Sequence, residues 1–100
     1  MELTGGSIIA AQIQQCTEQM FVAFNPASGE QLQPEFSEAT TVQVNSAVQA
    51  AERDFNKYRQ LPLARRADFL AAIAGQLREI ETLLIARANL ETALPLSRLE

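Results

Sequence analysis

The spacing of apolar residues changes once along this 100-residue chain, near Thr40. Before that point apolar residues come in short clusters between turn-forming residues, which is the pattern of strands. Ile8, Ile9 and Ile13 predict one short strand after a flexible Gly5-Gly6 pair. Met20-Phe21-Val22-Ala23-Phe24 predicts a second, bounded by Asn25-Pro26-Ala27-Ser28-Gly29. In that turn Pro26 presets φ and Gly29 accepts a positive φ. Glu30 to Gln33 predicts a third strand that folds back as a hairpin, and Pro34 should end it because proline has no amide hydrogen for a sheet. A hairpin of this size is marginal alone in water, so Phe21, Phe24 and Phe36 need a surface to pack against.

From Thr40 the spacing becomes helical. Val44, Ala47, Val48, Ala51, Phe55 and Tyr58 recur every three or four residues, as on one face of an amphipathic helix. Thr40 and Gln43 stand at capping-box spacing, which marks its start. Leu61-Pro62 breaks the pattern, and Pro62 suits the first turn of a second helix. Its stripe is Leu63, Ala67, Leu70, Ile73, Ala74 and Leu77, widened by Phe69 and Ala71, so this helix should be the most buried. If so, Leu70 is a core residue, and an exposed Leu70 would refute the helix. Ile80, Leu83, Leu84, Ala88 and Leu90 form a third stripe that stops before Pro95. A fourth helix should begin at Pro95, with Leu96 and Leu99 three apart. Residues 1–36 thus read as a β-hairpin region and residues 40–100 as a helical region.

Composition fits a globular chain of one domain at most, with 47% apolar and 20% charged residues and four each of Gly and Pro. The longest apolar run, Phe69 to Ala74, is far short of the ~20 residues of a membrane span. Residues 1–15 lack a basic region and a cleavage signal, and the single cysteine allows no internal disulfide. A cytoplasmic protein is therefore expected. The net charge of −4 is uneven: residues 1–50 hold five acids and no base, whereas residues 51–100 hold eight bases and seven acids. Neither half carries the basic footprint that nucleic acid requires. The chain has no histidine, so Ser-His and Cys-His pairs and the commonest metal ligand are all missing.

The remaining chemistry-bearing residues have ordinary readings beside the functional ones. Cys16 is the one strong nucleophile, but Gln14, Gln15, Thr17 and Glu18 offer no base to activate it. Gly5-Gly6 lacks the GxGxxG spacing of a phosphate cradle. Arg65-Arg66 lie early in a helix, where anions are favoured, yet adjacent helical residues point about 100° apart and converge poorly on one ligand. Glu79 and Glu81 lack further donors for a metal. Glu91-Thr92 fit capping or interdomain hydrogen bonding. No catalytic, cofactor-binding or metal-binding residue is expected in these 100 residues.

The order of the motifs resembles the start of the aldehyde dehydrogenases. Asn25-Pro26-Ala27-Ser28-Gly29-Glu30 is similar to their NPATGE-type turn, and Val44, Ala47, Ala51 and Phe55 match a DVxxAVxAAxxAF helix in which Gln43 replaces aspartate. Arg65-Arg66-Ala67-Asp68-Phe69-Leu70 with Ile73-Ala74 resembles RAxxLxxIA. Ala86 to Pro95 with Arg98-Leu99 resembles ARAxLETALPxxRL, the form of the NADP-preferring fatty-aldehyde and 2,5-dioxovalerate (α-ketoglutaric semialdehyde) branch. Together the four cover residues 25–99.

The resemblance implies an α/β parent with a Rossmann-type cofactor domain, of which this segment is a structural N-terminal part. Such an enzyme oxidises an aldehyde to an acid with NADP or NAD: a cysteine thiolate attacks the carbonyl, hydride passes to the nicotinamide, and glutamate-activated water releases the acid. The family's catalytic cysteine, glutamate and asparagine come after this segment, so the resemblance makes Cys16 not the nucleophile. It also implies a homo-oligomeric parent, with the rest of that enzyme as the partner of these residues and a small aldehyde as its substrate. The alternative from the residues alone is a small helical interaction module without catalysis.

Overall fold

The computed structural model describes residues 2–16 and 18–100. Met1 and Thr17, both inside the region read as strands and turns, lie outside the described residues. Two separate antiparallel hairpins come first: β1 (Ser7–Ile9) with β2 (Gln12–Gln14), and β3 (Met20–Phe24) with β4 (Gln31–Ser37). Three helices follow, α1 (Thr41–Arg59), α2 (Leu63–Glu79) and α3 (Glu81–Thr92), and then a single 3₁₀ turn, Leu96–Arg98. That turn stands where a fourth helix was expected.

The isoleucines predicted to share one strand lie on two. Ile8 pairs with Ile13 across a two-residue turn, Ala10-Ala11, in which both residues have positive φ (49° and 61°). This twist suits a tight hairpin, but the usual signal is Asn-Gly, and alanine seldom takes the left-handed region. Replacing Ala10-Ala11 with Asn-Gly should therefore stabilise the hairpin by about 1 kcal/mol. Slower amide exchange across β1 and β2 would show it; unchanged or faster exchange would contradict the turn geometry.

The second hairpin forms at the predicted turn. Asn25 N–H donates to Glu30 O (2.9 Å), Gly29 N–H to Asn25 O (2.7 Å), and Asn25 Oδ1 accepts from the Ala27 amide (2.9 Å). Gly29 has φ +75°. Pro34, however, does not end the strand. Phe21 pairs with Phe36 and Ala23 with Leu32, so Val22 faces three residues, Gln33, Pro34 and Glu35. Pro34 sits in this bulge, where a missing N–H breaks no ladder bond.

Gly5 is not part of a flexible approach either. It is buried, with φ +73°, and its carbonyl accepts from the Ser37 amide (2.9 Å) and, at 3.5 Å, from the Ser37 hydroxyl. A Cβ on Gly5 would lie 2.0 Å from Glu35 O, so the chain before β1 passes backbone to backbone against the bulge of β4.

The helix boundaries follow the sequence closely. At the start of α1 the Thr40 hydroxyl accepts from the Gln43 amide (3.1 Å) while the Gln43 side chain accepts from the Thr40 amide (2.9 Å), the complete capping box. Pro62 precedes α2 as its N-cap residue, one place before its expected first turn. Tyr58 meets Phe69 edge-on across the turn between α1 and α2, with ring centroids 5.7 Å apart.

The expected burial order is wrong. Leu70 is 62% exposed, and Phe69, Ile73 and Leu77 are exposed beside it. The helix is present nonetheless, so exposure of Leu70 overturns the burial reading and not the helix. Periodicity identifies an apolar face but cannot say what covers it. Among the described residues only Gly5, Ile9 and Ser37 are buried, and α3, with Ile85, Arg87, Ala88 and Asn89 half-buried, is the best-covered helix. The radius of gyration is 17.0 Å, against about 13 Å for a compact chain of this length. The chain forms an open plate 18 Å thick.

Candidate functional site

One side chain, Arg87, joins α3 to β4 and to the aromatic pair of the second hairpin. Phe21 and Phe36 stack across β3 and β4 with centroids 5.6 Å apart and planes 22° from parallel. Arg87 of α3 lays its guanidinium 5.8 Å from the Phe36 ring centroid. Its Nη1 donates to the carbonyl of Gln33 in the bulge, and its Nε donates to Glu91 Oε1 at 2.6 Å, one helical turn along α3. The arginine side chain is 22% exposed and Glu91 38%, so the carboxylate is the wetter partner and contributes less through charge than through aiming the guanidinium. Arg87 thus ties residues 54 apart in sequence.

The end of α3 is closed by its own side chains. Thr92 Oγ1 donates to Ala88 O (2.7 Å) and accepts from the Leu94 amide (3.2 Å). Asn89 donates to Leu94 O (2.7 Å), and Ala93 ends the helix in the left-handed region with φ 57°. Thr92 therefore caps the helix end, one of the ordinary readings, whereas Glu91 is the ion-pair partner of Arg87, a role the sequence reading did not assign. Most of the residues from Arg87 to Ala93 have local structural work: they stop α3 and fasten it to the sheet.

The other sequence candidates are not brought together. Cys16 is half-buried and free, lining an open cleft of about 440 Å³ with Glu18, Gln19, Glu38 and Thr40. Among the described residues no cation lines that cleft. At the start of α2 the Arg65 and Arg66 amides both donate to Pro62 O (3.0 and 3.2 Å), so neither is free for an anion. Arg65 lines a cleft with Asp54, Lys57 and Asp68, and Arg66 does not line it. Glu79 closes α2 and Glu81 opens α3, where a carboxylate complements the helix dipole. Among the described residues no group of three or more Asp, Glu and Cys could hold a metal ion. None of the helices described is long and apolar enough to cross a membrane. Both sheets are two-stranded and antiparallel, and among the described residues neither strand pair leads through a glycine-rich turn into a helix, the arrangement of a Rossmann-type dinucleotide site.

Reasoning from sequence alone missed the role of Arg87. Its i,i+4 spacing to Glu91, amid the apolar positions Leu83, Leu84, Ala88 and Leu90, was the available signal.

The polar groups around Arg87 fasten α3 to the sheet, and broad apolar faces of α2 and α3 are left open. The sequence matches the aldehyde dehydrogenase family over residues 13–100, and the chain belongs to that family. It is 40% identical over 101 residues to alpha-ketoglutaric semialdehyde dehydrogenase 2 of Azospirillum brasilense, covering 100% of this chain and 19% of that protein. It is 45% identical over 65 residues to the alpha-ketoglutaric semialdehyde dehydrogenase of Acinetobacter baylyi, covering 65% of this chain and 12% of that one. The chain therefore spans less than a fifth of the length of these relatives. No solved structure matches it. Family membership supports the α/β class expected from the motifs, to which two small sheets and three helices contribute one piece.

Proposed function

We propose that residues 1–100 are the N-terminal, structural part of an NAD(P)-dependent aldehyde dehydrogenase, belonging to its cofactor-domain region. The substrate class we infer is a semialdehyde of the α-ketoglutaric type, oxidised to the acid with NADP or NAD in a cytoplasmic homo-oligomer. The observation that carries this reading is the 40% identity of the whole chain to 19% of a semialdehyde dehydrogenase. The open plate supports it. The exposed stripe of Phe69, Leu70, Ile73 and Leu77 on α2, with Leu83 and Leu84 on α3, is the face that the rest of such an enzyme covers.

The test is a chimera in which this chain replaces the matching stretch of the Azospirillum relative. Oxidation of α-ketoglutaric semialdehyde, followed as NAD(P)H absorbance, should persist. A chimera that folds and assembles but is inert would sink the reading. The 100-residue chain by itself should form no NAD(P)H from any aldehyde, and reproducible turnover by the pure chain would overturn its structural role.

Leu70→Ala separates the two settings. In the isolated chain, where Leu70 is exposed, it should cost no more than about 0.5 kcal/mol. In the chimera, with that face covered, about 2–5 kcal/mol is expected. Equal small losses in both, read from denaturant midpoints, would show that the stripe stays uncovered.

A further inference from the structure

We draw no further inference here: the strongest candidate, the exposed apolar face of α2 and α3 around Ile73, Leu77, Ile80 and Leu83, belongs to the surface already assigned under the proposed function, and nothing in the structure shows any other occupant that covers it.

Discussion

Gly5→Ala should cost about 3 kcal/mol and release the segment before β1 from β4, whereas Gly29→Ala should cost only about 1 kcal/mol. The two glycines have nearly the same backbone, φ +73° and +75°, so the conformational penalty for a side chain is common to both. Their surroundings differ. A Cβ on Gly29 meets nothing within 4 Å, while one on Gly5 meets Glu35 O at 2.0 Å, Glu35 C at 3.0 Å and Phe36 Cα at 3.2 Å. All three are backbone atoms, which cannot rotate aside as a side chain would. Relief requires the strand to move, and the Ser37-to-Gly5 hydrogen bond goes with it. Amide exchange at Ser37 reads this directly and should approach that of an exposed peptide in Gly5→Ala alone. If the two substitutions lowered stability equally and left Ser37 protected, the close backbone approach would be refuted.

Arg87→Met should cost about 2–3 kcal/mol, the second largest effect in the isolated chain. A hydrogen bond from a charged donor to a carbonyl contributes about 1.5–3 kcal/mol, and a partly exposed cation over an aromatic ring about 0.5–1 kcal/mol. The pair with Glu91 adds at most about 1 kcal/mol. Methionine keeps much of the apolar stem, so the loss reports the guanidinium. Glu91→Gln should therefore cost under about 1 kcal/mol. Arg87→Lys should recover only part, because one ammonium cannot bond Gln33 and Glu91 while lying flat on Phe36. A double-mutant cycle between positions 87 and 91 measures the pair separately. An Arg87→Met variant as stable as the parent would show that α3 is held to the sheet by something other than this side chain.

What could be read in advance depended on how local each cause was. The Thr40–Gln43 capping box, the Asn25–Gly29 turn and the break at Pro62 are settled by residues within five positions of one another, and each was legible. The Ala10-Ala11 turn was not, because alanine carries no turn signal and takes a positive φ only when the flanking strands impose it. Pro34 misled for a related reason: its lack of an N–H rules out a regular ladder but permits a bulge, and only the register of β3 against β4 distinguishes the two. The burial of α2 was misjudged because a periodic stripe names a face and leaves its partner unspecified. As for the site, the capping role of Thr92 was visible in its helix-end position, and the pairing of Glu91 with Arg87 was not. The contacts of Gly5 with Glu35 and of Arg87 with Gln33 span 30 and 54 residues, and no local pattern encodes them.

The proline bulge has a further consequence for solubility. A two-stranded sheet has two open flanks, and an unpaired flank invites another chain to extend it. On the outer side of β4 the Ser37 amide is taken by Gly5, the Gln33 carbonyl by Arg87, and Pro34 has no hydrogen to donate. An incoming strand finds little to bond there. The two positions whose replacement costs most in the isolated chain are thus also those that keep this flank closed to aggregation.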